Sequence, residues 1–278
     1  GPTDKGQSMY MEAVLKGFER ECFVGSTLVG MYVKLRLLEE ARAVFDQLEF
    51  KEVVAWTALI MGYVEHGPAN EALECFENMQ SMGIPLDNFT FASMLKACGS
   101  MGATEKGEKI HEEIVAHGLI EKDLIVANAV IDMYTSFGFV QKAQEVFNQL
   151  PVQNAVSWTS LIGGYAEHGY GKEALNCLES MKYEGFSPDA ITFVCALRAC
   201  GAIGAVLKGR EIHEEIDREG FFETDILVGN ALVDMYAKCD ALVEAQEVFE
   251  KLPFQDIVSW TVLISGYAQH GHGEEALH

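Results

Sequence analysis

Between Ser157 and Glu184 apolar side chains recur at helical spacing twice over. Leu161, Ile162 and Tyr165 mark one face of a first segment, from about 157 to 168. Ala174, Leu175, Leu178 and Met181 mark one face of a second, from about 171 to 184. Gly169 and Gly185 stand where the two segments should stop, because glycine accepts the left-handed conformation that closes a helix. Pro188-Asp189 then breaks the pattern before Ile191 opens the next pair. No stretch alternates apolar and polar residues as a strand would. The spacing predicts an all-α chain of helical hairpins.

The hairpins repeat. Val54-Ala55-Trp56-Thr57, Val156-Ser157-Trp158-Thr159 and Val258-Ser259-Trp260-Thr261 follow one another at intervals of 102 residues. The same offset links His66, His168 and His270, and it carries Lys109–Ile114 onto Glu211–Ile216 and Asp132-Met133-Tyr134 onto Asp234-Met235-Tyr236. A period of 102 is too long for one helical pair, and each block holds three pairs of unequal length. The expected division is 22–52, 53–87, 88–123, 124–154, 155–189, 190–225 and 226–256, giving units of 31, 35 and 36 residues. A fragment at 9–21 precedes them and a partial unit at 257–278 follows. An array in which each unit buries its apolar face only against its neighbours is an α-solenoid.

Composition narrows the possible roles. The chain is 49% hydrophobic and 22% charged, enough apolar content to bury a core. Its formal charge of −22 excludes a blanket polybasic binder of nucleic acid or of membrane surfaces, and no apolar run is long enough to span a bilayer. The seven cysteines, at 22, 75, 98, 177, 195, 200 and 239, include no C-x-x-C pair, so they read as small core residues rather than a disulfide framework or a zinc site. Gly1-Pro2 has the form of a scar left by tag removal, so residues 1–8 are expected to be a tag remnant and linker, with any targeting peptide outside this sequence.

Several motifs that would carry catalysis fail on inspection. His111-Glu112-Glu113 and His213-Glu214-Glu215 satisfy H-x-E, but the P-C-x-x-C half of a zinc deaminase signature is missing. His111 and His117 are six apart rather than four, so no H-E-x-x-H forms. Gly171-Lys172 lacks both the glycine five residues earlier, where Ala166 stands, and the following Ser/Thr, where Glu173 stands. Every candidate acid recurs with the period, which marks it as architecture. No catalytic centre, metal or cofactor is expected.

The strings Val-Ser-Trp-Thr-Ser-Leu-Ile-Gly-Gly-Tyr (156–165), Gly-Asn-Ala-Leu-Val-Asp-Met-Tyr-Ala-Lys-Cys (229–239) and Leu-Arg-Ala-Cys-Gly (197–201), with the alternation of 35, 36 and 31 residues, resemble the plant pentatricopeptide-repeat family in its P–L–S subclass. Tetratricopeptide repeats differ by their constant period of 34. The resemblance implies a right-handed α-solenoid superhelix that binds single-stranded RNA in mitochondria or chloroplasts, one base per repeat. In this scheme 53–87 and 155–189 are P motifs, 88–123 and 190–225 L motifs, and 22–52, 124–154 and 226–256 S motifs. The fragment at 9–21 would be a partial L motif and 257–278 a partial P motif.

It also implies that the fifth and last residues of a motif choose the base, while an apolar second residue packs against its face. The reading pairs are then Thr57/Asp87, Asn128/Asn154, Thr159/Asp189 and Asn230/Asp256, with Thr261 opening a motif whose last residue lies beyond the sequence. The stacking candidates are Phe23, Val54, Phe89, Ile125, Val156, Ile191, Leu227 and Val258. Aspartate only accepts hydrogen bonds and so suits G and U, whose Watson–Crick edges offer an N–H; asparagine also donates. Taken with the family's purine/pyrimidine distinction at the fifth position, the expected footprint is ?-G-N-C-G-N-U-R from 5′ to 3′. Ser26/Glu52 receives no base, and Ala92/Asp123 and Val194/Asp225 offer no side-chain hydrogen bond at the fifth position.

Capping is the plain structural role for Asp87, Asp189 and Asp256, each of which precedes a helix. The three tryptophans, each three residues before a Leu-Ile pair, are expected to pack inside rather than to stack on bases. RNA affinity draws on phosphate contacts, so an acidic chain needs a local basic stripe, for which Lys96, Lys106, Lys109, Lys208, Arg198 and Arg210 are the candidates. A second reading is a protein scaffold whose L motifs engage an editing cofactor protein. A third has the apolar end face after Ile257 associating with a neighbouring chain. In the P–L–S subclass a C-terminal extension supports or performs cytidine-to-uridine editing, which makes the whole protein a candidate editing factor.

Overall fold

The computed structural model describes residues 22–271, all of whose regular secondary structure is helical. The fragment at 9–21, residues 1–8 and the end of the partial motif at 257–278 lie outside the described residues. The chain divides into two compact units, one through Phe137 and one from Gly138.

The first unit contains α1 (Cys22–Lys34), α2 (Leu38–Gln47), α3 (Val53–His66), α4 (Ala69–Ser81), α5 (Asn88–Met101), α6 (Thr104–Ala116) and α7 (Leu124–Ser136). Here α3 stacks between α1 and α5, and α5 between α3 and α7. Helix α2 packs against α1 and α3, and α4 against α3 and α5.

The second unit contains α8 (Val140–Gln149), α9 (Ala155–Glu167), α10 (Gly171–Tyr183), α11 (Ala190–Ile203), α12 (Val206–Glu219), the single turn α13 (Phe221–Thr224), α14 (Ile226–Lys238), α15 (Leu242–Lys251) and α16 (Ile257–Gln269). The row α9, α11, α14, α16 is stacked in the same way, with α10, α12 and α15 each wedged between consecutive members. Among the described residues, a helix begins at each of 22, 53, 88, 124, 155, 190, 226 and 257.

The two kinds of helix differ because their surroundings differ. A helix inside a stacked row has neighbours on both sides and is apolar over most of its circumference: α11, between α9 and α14, buries Thr192, Phe193, Ala196, Leu197, Ala199, Cys200 and Gly201. A wedged helix has one covered stripe; α8 buries only Val140, Ala143, Val146 and Phe147, spaced at one helical face. Leu161, Ile162, Ala174, Leu178 and Met181 are wholly buried, as the periodicity predicts, each leucine or isoleucine contributing about 1.5–3 kcal/mol of transfer free energy. Gly169 (φ +82°) and Gly185 (φ +85°) adopt the left-handed conformation expected where α9 and α10 stop.

The tryptophans are packing residues. Trp56 lies edge-on to Phe45 at 4.6 Å between ring centroids, Trp158 to Phe147 at 4.6 Å and Trp260 to Phe249 at 4.7 Å. Trp56 and Trp158 are buried; Trp260, on the last described helix, is half exposed.

Candidate functional site

The fifth residue of a motif sits in the first turn and a half of its row helix, and the last residue immediately precedes the next row helix. Stacking of adjacent row helices therefore brings them towards each other. Thr57 on α3 donates towards the Val53 carbonyl (2.9 Å) and lies 2.8 Å from the Thr90 hydroxyl on α5. Thr90 in turn donates its backbone N–H (2.8 Å) and its hydroxyl (2.6 Å) to Oδ1 of Asp87, the N-cap of α5. The second unit repeats this cluster: Thr159 to the Ala155 carbonyl at 2.9 Å, Thr159 to Thr192 at 2.7 Å, and Thr192 N–H and hydroxyl to Asp189 Oδ1 at 2.8 and 2.7 Å. In both cases the fifth and last residues join through a third side chain. Thr90 and Thr192 have no solvent exposure.

At the S-to-P boundary the link is direct. Asn230, buried on α14, donates Nδ2–H to Asp256 Oδ1 over a long 3.4 Å, while its buried Oδ1 has no hydrogen-bond partner. Asp256 and Ser259 form a reciprocal capping box at the start of α16. The Ser259 backbone N–H is the main cause holding the Asp256 carboxyl below its ordinary pKa, with help from the Ser259 hydroxyl and the Asn230 amide. Asn154 and Ser157 form the same box at the start of α9 in the second unit, and Asn128 is buried on α7 in the first. Thr261 is exposed on α16, its hydroxyl donating to the Ile257 carbonyl at 2.7 Å. Ser26 is buried, and Glu52 precedes α3 without a side-chain cap bond.

The L-to-S boundaries keep the cap and lose the rest. Asp123 accepts from the N–H groups of Ile125 (2.8 Å) and Val126 (3.1 Å), and from the Asn88 amide. Asp225 accepts from Leu227 N–H at 2.9 Å. The corresponding fifth residues, Ala92 and Val194, are half-buried hydrocarbon.

The eight second-position side chains share one property: all are exposed, from 52% at Ile125 to 83% at Phe23, with Val54, Phe89, Val156, Ile191, Leu227 and Val258 between. Positions two and five are three apart on a helix and so share a face. An exposed apolar side chain thus recurs in the first turn of each described row helix, and at some of them it lies beside a polar cluster.

The basic candidates do not make a free stripe. Only Lys96 and Arg198 lie on row helices, and Arg198 pairs with Glu167 at 2.9 Å. Lys106, Lys109, Lys208 and Arg210 lie on the wedged helices α6 and α12; Lys106 pairs with Glu77, Arg210 with Glu244, and Lys208 with Glu179 (2.9 Å) and Glu211 (2.7 Å). The wedged helices carry none of the reading positions, so the expectation of a basic stripe beside those positions is corrected to Lys96 and Arg198. The repeated histidines are bonded within the fold: His111 Nδ1 lies 2.9 Å from the Tyr134 hydroxyl and His213 Nδ1 lies 3.0 Å from that of Tyr236. Burial lowers the His213 pKa and pushes the thiols of Cys75, Cys98 and Cys177 up to about 11. No described group of three or more His, Cys, Asp or Glu is placed to hold a metal ion.

Sequence reasoning missed the third-position hydroxyls, Thr90, Thr192, Ser157 and Ser259. Their signal was present, since Thr90 and Thr192, like Ser157 and Ser259, are separated by the same 102 residues as the motifs around them.

Stacked helical hairpins, with a polar cluster at selected junctions and exposed apolar side chains at the start of the row helices, define a helical-repeat protein. Residues 51–100 and 153–202 match the PPR repeat family, and 26–53, 89–119, 125–153, 230–255 and 258–278 match the PPR repeat. Together these matches take in more than half of the chain, which belongs to the pentatricopeptide-repeat (PPR) family. A putative mitochondrial pentatricopeptide repeat-containing protein of Arabidopsis thaliana is 33% identical over 99% of this chain and 45% of its own length. The chloroplastic DOT4 protein of the same plant is 41% identical over 98% of this chain and 31% of its own length. The chain thus spans less than half the length of these relatives. The crystal structure of the maize pentatricopeptide repeat protein PPR10 shares the fold, with a TM-score of 0.61 and 21% identity over 86% of this chain and 36% of that one. The same protein in complex with an 18-nt psaJ RNA element matches at TM-score 0.55 and 18% identity, over 96% of this chain and 50% of that one.

Proposed function

We propose that this chain is a sequence-specific single-stranded RNA-binding segment of a P–L–S-type organellar PPR protein, one base per repeat, with bases assigned to 53–87, 124–154, 155–189, 226–256 and the partial motif from 257. The observation that carries the reading is the hydrogen-bonded joining of fifth and last residues at Thr57/Asp87, Thr159/Asp189 and Asn230/Asp256, one helical turn from an exposed apolar side chain. Apolar side chains that cover base faces suit unpaired strands, since only those expose the faces. The solved RNA complex of PPR10 and the mitochondrial and chloroplastic names of the relatives support an organellar RNA-binding role. The footprint proposed is ?-G-N-C-G-N-U-R, and the longer protein is proposed to serve cytidine-to-uridine editing.

Equilibrium binding tests this directly. A labelled strand containing GNCGNUR, at a fixed salt of about 0.1 M because phosphate contacts make affinity salt-dependent, should bind more tightly than one with purines and pyrimidines exchanged at the four assigned bases. Replacing Asn128 and Asn230 by Thr should abolish the preference at the C and U positions. Equal binding to both strands would sink the reading.

A second reading is favoured by the charge of −22 and the ion-paired basic residues. Here the L motifs engage a partner protein and intrinsic RNA affinity is weak. Absence of binding to either strand, with binding restored by a partner, would support it.

A further inference from the structure

At three junctions within the units the third residue of the following motif is a buried hydroxyl that bonds the last-position carboxylate: Thr90 on Asp87, Thr192 on Asp189, Ser259 on Asp256. At three others it is not: Ala55 follows Glu52, Val126 follows Asp123 and Val228 follows Asp225. The first group follows the polar fifth residues Thr57, Thr159 and Asn230. In the second group, Ala92 and Val194 precede the two valines, and Ser26 precedes Ala55. Capping does not require the hydroxyl, because Asp123 and Asp225 cap α7 and α14 through backbone N–H groups alone, with valine in the third position. A hydroxyl with no solvent exposure is costly unless fully bonded, so its presence only beside polar fifth residues calls for a role beyond the cap.

A count of protons supplies that role. The cluster has three oxygen–oxygen contacts: Val53 carbonyl to Thr57 (2.9 Å), Thr57 to Thr90 (2.8 Å) and Thr90 to Asp87 (2.6 Å). Two hydroxyl protons serve them, because the carbonyl and carboxylate oxygens have none to give. At most two contacts carry a proton, and turning the Thr57 hydroxyl outward would leave two of these close oxygen–oxygen contacts without one. In each of the three ways of placing both protons in contacts, the Thr57 proton points into the protein, to Val53 or to Thr90. Towards a ligand Thr57 then offers only lone pairs, and Asp87, with Oδ1 held by Thr90, offers the lone pairs of Oδ2. The Thr159–Thr192–Asp189 cluster repeats the count with contacts of 2.9, 2.7 and 2.7 Å.

We propose that Thr90 and Thr192 are positioning residues for base selection: each locks the preceding Thr/Asp pair into an acceptor-only state, which favours a base edge presenting adjacent N–H donors, as guanine does, and disfavours adenine, whose ring nitrogen there is an acceptor. This rests on the base-reading function proposed above. Ser259 plays the part for Asp256, with Asn230 adding a donor that suits the mixed edge of a pyrimidine.

Thr90→Val keeps the shape and removes the hydroxyl. With the strand GACGAUA, and with A substituted for either G in turn, the variant should lose about two- to tenfold of its G-over-A preference at the first G, the range one hydrogen bond spans. The preference at the second G, served by Thr192, should be unchanged, and Thr90→Ser should restore the first. Thr192→Val should show the mirror-image loss. A Thr90→Val protein with the native G-over-A ratio at the first position overturns the proposal, as does equal loss at both positions, which marks a general structural effect. If the unmodified chain shows no G preference at either position, the base-reading function fails and this inference falls with it.

Discussion

The P-to-L junction around Asp189 and the L-to-S junction around Asp225 are built to one plan and finished differently. Each places an aspartate ahead of a row helix and lets it accept a backbone N–H of the first turn. At the first, Thr192 and Thr159 extend the cap into a buried hydrogen-bonded cluster; at the second, Val228 and Val194 fill the same positions with hydrocarbon. Since Asp225 caps without hydroxyl help, the cap belongs to the architecture and the hydroxyls are an addition. Within one chain, the junction at Asp225 is the internal control for what the junction at Asp189 adds.

The largest expected effect concerns packing at the same two junctions. A Cβ added at Gly171 would stand 2.9 Å from the Ala199 carbonyl oxygen and 2.6 Å from Ile203 Cγ2, so it meets backbone on α11. A Cβ at Gly209 would meet the Met235 thioether, the end of a flexible side chain. Gly171→Ala should therefore cost about 1–3 kcal/mol. Gly209→Ala should cost less than about 1 kcal/mol net, because methionine can move aside and alanine gains helix propensity in mid-helix. Chemical denaturation of the two variants decides; equal losses would mean that the L-to-S packing is as rigid as the P-to-L packing.

Much of this was legible in the chain. Helices α5, α7, α9, α11, α14 and α16 each follow an aspartate or asparagine, and such a cap ahead of an apolar helix is a local signal; Gly169 and Gly185 stop their helices for an equally local reason. Trp56 and Trp158, ahead of their Leu/Ile pairs, could be placed in the core by the same logic, whereas Trp260, on the last described helix, is half exposed. What could not be read depends on side chains far apart in sequence. Arg198 looked like a free cation until the fold set it against Glu167, 31 residues earlier. Thr192 looked like an ordinary first-turn residue until it met Thr159, 33 residues earlier. The division after Phe137 falls in the short connection between α7 and α8 and has no composition change to announce it.

A smaller effect separates cap from recognition. Asp189→Ala and Asp225→Ala each remove an N-cap and should each lower stability by about 1 kcal/mol. Only Asp189→Ala should also erase the base preference at the second G of the footprint, while Asp225→Ala leaves every assigned position as it was. Thermal unfolding and strand-substitution binding on the same two proteins make the test, and loss of base preference in Asp225→Ala would remove the distinction between the junctions.

The S-to-P junction offers the finest contrast, because nature has already made the substitution. Asp256 and Asn154 occupy the same position of their motifs, and each forms a capping box with the serine three residues on. They differ in charge. The Asp256 carboxyl is held below its ordinary value, first by the Ser259 N–H, so its contribution to stability is complete above the unfolded-chain value of about 3.9 and is lost as pH falls through that value towards the lower folded one. Asp256→Asn copies the Asn154 arrangement and removes the titration while keeping the cap. Between about pH 6 and about pH 3 the melting temperature of the unmodified chain should drop more than that of Asp256→Asn, with the difference appearing below about pH 4. The difference should be small, because Asp256 is only half-buried and water screens its interactions. Parallel melting curves across that range would show that Ser259 and Asn230 hold the carboxylate no better than water does, and that the cluster at this junction is neutral hydrogen bonding alone.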